Sequence, residues 1–90
     1  MGKYRIKLQP AAEKHLSAYK RSGNKGNLKR IQVILKELEV HPYIGTGQPE
    51  QLKHQLSGFW SRRINRKDRL IYKVDEDIVL VLVISAMGHY

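Results

Sequence analysis

Ninety residues suit one domain, whose core covers roughly 60–65% of the unfolded chain's surface, and they leave no room for a cofactor domain beside a substrate domain. The absence of cysteine excludes disulfides and thiolate metal sites, and fits a reducing compartment such as the cytoplasm. Seventeen lysines and arginines against eight acids give a net charge of +9, so the expected partner is a polyanion: nucleic acid, an anionic membrane or an acidic protein. The stretch from Met1 to Ile6 does not read as a signal peptide, and the longest apolar run, Ile78 to Ile84, is too short to span a bilayer.

Lys3 to Leu8 alternates, with Tyr4, Ile6 and Leu8 on one side and Lys3, Arg5 and Lys7 on the other, which predicts a short half-buried strand. Pro10 opens a helix with Ala12, Leu16 and Tyr19 on one face. Ser22-Gly23-Asn24 ends it, and Asn24 or a neighbour is placed to cap the next helix. Leu28, Ile31, Leu35 and Leu38 then recur at spacings of three and four, while Lys25, Lys29, Arg30 and Lys36 occupy the other sides. So short a turn between helices predicts an antiparallel hairpin, closed at Val40-His41-Pro42. Tyr43 to Pro49 reads as a loop. Three strands follow, Phe59 to Ile64, Leu70 to Val74 and Ile78 to Ile84, separated by a polar turn from Asn65 and by the acidic turn Asp75-Glu76-Asp77. The last is apolar at every position, which predicts an interior strand with both faces largely covered. The order implies one α+β domain over residues 1–90: an N-terminal strand, a helix hairpin, then a mainly antiparallel sheet meander.

Little in the chain suits metal or nucleophilic chemistry. The four histidines, His15, His41, His54 and His89, lack zinc-site spacing, the acidic turn reads as a solvated loop, and Gly45-x-Gly47 lacks the rest of a phosphate loop. The dense segment runs from Glu50 to Lys73. It holds Lys53, Arg62, Arg63, Arg66, Lys67, Arg69 and Lys73, interleaved with Phe59, Trp60 and Tyr72. Such a mixture fits RNA, with cations on phosphates and rings under unpaired bases; the plainer reading puts the three aromatics in the core. Lys53, Arg62 and Arg63 are candidate phosphate contacts. A three-residue turn, Asn65 to Lys67, makes Arg63 and Arg69 oppose each other on one face; a four-residue turn through Asp68 sends them to opposite faces. RNA cleavage without a metal needs a base for the ribose 2′-hydroxyl, an acid for the leaving 5′-oxygen, and cations for the phosphorane. Glu50, His89 and the two arginines supply that set.

The run Pro49-Glu50-Gln51-Leu52-Lys53-His54-Gln55-Leu56-Ser57-Gly58-Phe59-Trp60-Ser61-Arg62-Arg63-Ile64 resembles the signature of the YoeB toxins, in the RelE/ParE superfamily, as do Arg69-Leu70-Ile71-Tyr72 and the terminal His89-Tyr90. The resemblance covers about half the chain, from the Gly45 loop onward. It implies a RelE-like fold and a type II toxin that enters the ribosomal A site and cuts messenger RNA through the 2′-hydroxyl, with no metal and no cofactor. It puts the general base on Glu50, the phosphate-stabilising arginine on Arg69 with support from Lys53 and Arg63, the general acid on His89, and a functional terminal aromatic on Tyr90. It also implies a homodimer and a YefM-like antitoxin whose acidic disordered segment orders over the toxin. The extended N-terminus and Ala86-Met87-Gly88 before His89 depart from the family pattern. Three rivals stand beside this reading. A gyrase poison of the ParE type lacks the glutamate and the terminal histidine. A plain RNA- or ribosome-binding module tolerates loss of Glu50. A membrane binder needs an amphipathic helix with more apolar surface than the core uses.

Overall fold

Each predicted helix and strand forms, and one short strand is added. The computed structural model describes residues 3–53 and 58–85, of which 83–85 by their backbone alone. Strand β1 (Arg5–Leu8) leads into helix α1 (Pro10–Ser22) and helix α2 (Lys25–Leu38); then come β2 (Glu50–Gln51), β3 (Trp60–Arg63), β4 (Arg69–Asp75) and β5 (Ile78–Ser85). Pro10 starts α1, where a missing N–H costs nothing, and Gly23 ends it in the left-handed conformation at φ 77°. The Asn24 side chain caps α2 by accepting from the Asn27 N–H at 3.1 Å.

The five strands form one sheet in the order β1-β5-β4-β3-β2. Only β1–β5 is parallel; the other three pairings are antiparallel. Both helices lie on one face of the sheet. Ala12 and Tyr19 of α1 and Ile31, Ile34 and Leu38 of α2 form the core with Ile64, Leu70, Tyr72, Val79 and Val81. Ile34 is as fully buried as Ile31 and Leu38, while Leu28 and Leu35 sit at the core's margin, so the apolar stripe of α2 is centred slightly off the predicted one. Full burial of one such aliphatic side chain contributes roughly 1.5–3 kcal/mol.

Strand β5 is interior, between β1 and β4. Its coverage is uneven: Val79 and Val81 are buried beneath the helices, whereas Ile78, Leu80 and Leu82 are half-buried. None of these side chains is exposed, so the expectation of an interior strand with both faces largely covered holds for the described side chains, the helix side being the more deeply buried. Pairing with β4 passes from Ile71↔Val83 to Tyr72↔Val81, leaving Leu82 as the extra residue of a bulge. Among the described residues, no helix is long and apolar enough to cross a membrane.

Candidate active site

Residues 69, 71 and 73 of β4 alternate with the core residues Leu70, Tyr72 and Val74, and so point away from the helices. The registers carry that outer face across three strands. Arg69 pairs with Arg63, Ile71 with Ser61, and Ser61 in turn with Glu50. Directly opposed residues of an antiparallel pair share a face, so Glu50, Ser61, Arg63, Arg69 and Ile71 lie together. Glu50 and Arg63 are diagonal neighbours, a relation that puts backbones about 7–8 Å apart, and Arg63 stands directly opposite Arg69. The Asn65–Lys67 turn is therefore the three-residue one, and it makes the two arginines partners. Lys53 is exposed, two residues past the end of β2.

Two guanidiniums facing each other across a strand pair repel, and the arrangement is destabilising unless something negative sits between them. Among the described residues the ion pairs are Arg5–Asp77 and Arg62–Glu37, and neither involves Arg63, Arg69, Glu50 or Lys53. Among the described residues, the outer face thus holds a pair of cations without an ion-pair partner beside an exposed carboxylate. That is the electrostatic form of a site for a phosphate next to a base.

Arg62 is corrected. It was a candidate phosphate contact, but alternation along β3 turns it to the core side, where it is 0% exposed. All five of its N–H donors are taken inside the protein. Nε donates to the Tyr72 hydroxyl at 3.3 Å, Nη1 to Glu37 Oε1 at 2.9 Å and to the Thr46 carbonyl at 3.1 Å, and Nη2 to the carbonyls of His41 at 2.7 Å and Ile44 at 2.8 Å. Tyr72 donates in turn to the Pro42 carbonyl. Glu37 also accepts from the Thr46 N–H at 2.8 Å and hydroxyl at 2.6 Å. Burial pushes the Glu37 carboxyl up, but the Thr46 hydrogen bonds and the Arg62 guanidinium outweigh it and hold the group below the usual carboxylate range. This network pins the 41–47 loop to β3. Gly47 then lies so close that an added Cβ would stand 2.7 Å from the Arg63 carbonyl, and the Gly47 carbonyl accepts from the Arg63 N–H at 2.7 Å. The loop delivers the chain to Glu50 from a fixed anchor.

A second device holds the turn between the arginines. Asn65 Oδ1 accepts from the N–H groups of Lys67 at 2.8 Å and Asp68 at 2.9 Å, and Asn65 Nδ2 donates to Asp68 Oδ2 at 2.8 Å. Asp68 is buried, and Tyr19 of α1 donates its hydroxyl to the same carboxylate at 2.6 Å. Burial, then the hydrogen bond and charge of Asp68, push the Tyr19 hydroxyl well above its usual range, so it remains a donor. Sequence reasoning missed Glu37, Thr46, Tyr19 and Asp68 as supports of the site. The Asn-x-x-Asp spacing of the turn was the one local signal.

The three aromatics separate. Tyr72 is core, as the plainer reading had it. Trp60 is half-buried against that core and meets Tyr43 in a tilted contact, with ring centroids 5.0 Å apart and the planes at 57°. Phe59 lies under the Lys73 ammonium, with Nζ 5.9 Å from the ring centre. His89 and Tyr90 lie outside the described residues. Among the described residues, no three His, Cys, Asp or Glu side chains group as a metal site.

Strand, helix pair and mainly antiparallel sheet, with a charged outer face at one end, define a small basic α+β domain of the RelE-like class. The chain belongs to the family of YoeB-like toxins of bacterial type II toxin–antitoxin systems, whose model matches residues 11–90. It is similar to Toxin YoeB of Synechocystis sp., at 48% identity over 64 residues, or 70% of this chain and 71% of that protein. Among solved structures, it resembles the YoeB dimer from Staphylococcus aureus, at 32% identity with a TM-score of 0.81, covering 98% of this chain and 99% of that one. It is also similar to YoeB in the heterotetrameric YoeB–YefM toxin–antitoxin complex from the same organism, at 33% identity with a TM-score of 0.80, covering 97% and 98% of the two chains.

Proposed function

We propose that this toxin is a metal-independent endoribonuclease that cuts messenger RNA in the ribosomal A site and so stops translation. The observation that carries the reading is the strand register that gathers Glu50, Arg63 and Arg69 on one face, with the two arginines opposed and not ion-paired among the described residues. Family membership supports it.

Glu50 takes the proton from a ribose 2′-hydroxyl. The 2′-oxygen then attacks the adjacent phosphorus, and the bond from phosphorus to the 5′-oxygen breaks. Arg69 and Arg63 stabilise the charge that grows on the non-bridging oxygens, with Lys53 as a further cation at the edge. His89 gives its proton to the leaving 5′-oxygen. The products are a 2′,3′-cyclic phosphate and a 5′-hydroxyl. The chain leaves β5 at Ser85, the register partner of Arg69. Four further residues reach His89, a tether of at most about 14 Å. Tyr90 follows it, as a ring to stack on a base or on the imidazole.

The working compartment is the cytoplasm, where ribosomes are. The active form is a homodimer, and the natural inhibitor is a YefM-like antitoxin with an acidic segment that orders over the cationic face. The S. aureus dimer and YoeB–YefM complex support both assemblies.

Glu50→Gln and Arg69→Ala each slow single-turnover cleavage of translated messenger by about 10²-fold or more. Ribosome affinity changes far less, because a net charge of +9 provides many other phosphate contacts. Cleavage at the wild-type rate by Glu50→Gln would overturn the base assignment and favour a plain binding module.

A further inference from the structure

Phe59 and Lys73 have no part in the chemistry above, yet they lie on the same side of the sheet. Lys73 follows Arg69 and Ile71 in the outward alternation of β4, is exposed, and has its ammonium over the Phe59 ring. Phe59 does not belong to the cluster packed under the helices, although its neighbour Trp60 does. Its ring is half-buried. Its backbone is held too: the Phe59 carbonyl accepts from the Leu52 N–H at 2.8 Å, which continues the β2–β3 pairing beyond Glu50. A half-exposed ring on a sheet face, with a cation over it and no carboxylate ion-paired to that cation among the described residues, is a surface that an unpaired base would share by displacing the long lysine side chain toward its phosphate.

Resting on the endoribonuclease reading, we infer that Phe59 and Lys73 form a second nucleotide subsite, where the ring stacks on a base and the ammonium holds a phosphate beyond the scissile one. The separation sets this role. Arg69 and Lys73 are four residues apart on one strand, about 13 Å, which is too far for one phosphate to bridge. Lys73 therefore takes a different phosphate from the one between Arg63 and Arg69, on the far side of the buried Ser61–Ile71 pair. Phenylalanine offers no hydrogen bond, so the subsite reads the presence and area of a base rather than its edge pattern. It favours purines over pyrimidines without specifying either.

The test uses the full chain carrying Glu50→Gln, so that RNA is bound and not cut, with single-stranded RNA octamers read by fluorescence anisotropy. Phe59→Leu, which keeps the apolar bulk, weakens binding about tenfold or more. An abasic site walked along the octamer costs the parent protein a similar factor at one position and costs Phe59→Leu nothing there. Lys73→Gln, at an exposed position that does not support the core, lowers affinity and reduces the slope of log affinity against log salt by about one. Equal affinity of Phe59→Leu and its parent, or equal loss at every abasic position, overturns the subsite. So does a loss of binding to a poly-glutamate peptide with RNA binding unchanged, which assigns the face to an acidic protein segment. The readout is binding, so a wild-type chain that fails to cut messenger would sink the nuclease reading without deciding this one. A chain that cuts, with RNA binding unchanged by Phe59→Leu and Lys73→Gln, would overturn the subsite alone.

Discussion

Arg62 and Arg63 are chain neighbours with opposite environments, because successive side chains of a strand point to opposite faces. Arg62 is enclosed and fully hydrogen-bonded, and Arg63 faces its like-charged partner Arg69. Their substitutions should therefore behave differently. Arg62→Ala strips partners from Glu37, Tyr72 and three backbone carbonyls, and should lower stability by about 3–5 kcal/mol, the cost of breaking a buried charge pair. Lysine does not rescue it, since three donors on one nitrogen cannot serve acceptors arranged around a planar fork. Arg69→Thr removes a repulsion and should shift stability by less than about 1 kcal/mol while abolishing cleavage. Denaturant midpoints check both, and a large loss from Arg69→Thr would make that residue structural. Glu37 adds a pH dependence. Its carboxyl is held down in the folded state, so its contribution is complete above the usual carboxylate range and is lost as pH falls through the lowered folded value. Acidification should thus lower the wild-type midpoint more steeply than that of Glu37→Gln; parallel curves would contradict this. A basic run alone did not reveal the burial of Arg62, because four of its five hydrogen bonds go to residues 37 to 46, far away in sequence.

The helices were legible as elements because their apolar residues repeat at helical spacing, and β1 because its polarity alternates. Strand β2 was not, since Glu50–Gln51 carries no alternation and is fixed only by pairing with β3. Nor was the bulge at Leu82, because a run apolar at every position from Ile78 to Ile84 leaves no mark of which side is which. The candidate site was half legible: residue types and the arginine pairing were open to inference, but the turn length that decides the pairing was not. That turn is tied to the helix layer by a tertiary contact, the hydrogen bond from Tyr19 of α1 to Asp68. Tyr19→Phe should cost about 1.5–3 kcal/mol, as for a hydrogen bond to a charged group. It should also lower the cleavage rate with little change in KM, because the arginines then sit less firmly rather than less accessibly. Asp68→Asn retains an acceptor and should recover part of the loss. Unchanged stability and rate in Tyr19→Phe would show that the Asn65 contacts suffice.

Across the molecule, charge is sorted along the β3–β4–β5 meander. Arg63, Arg66, Lys67 and Arg69 crowd the turn at one end, and Asp75, Glu76 and Asp77 occupy the turn at the other. The acidic end carries the Arg5–Asp77 pair at 3.8 Å, an exposed contact of small energetic worth. A phosphodiester approaching this dipolar sheet is drawn to the end that bears Glu50 and the arginine pair. Because attraction of this kind weakens with ionic strength, ribosome association should slow markedly as salt is raised, while single-turnover cleavage of an already bound messenger should not. Glu50, Arg69 and His89 are proposed to cut RNA through its own 2′-hydroxyl. End-group analysis of messenger cleaved on translating ribosomes, with chelator in excess of free divalent ions but with the ribosomes kept intact, tests it most directly. The expected fragments end in a 2′,3′-cyclic phosphate or 3′-phosphate, each facing a 5′-hydroxyl, and form at an undiminished rate. Fragments ending in a 3′-hydroxyl, or cleavage abolished by the chelator, would contradict it.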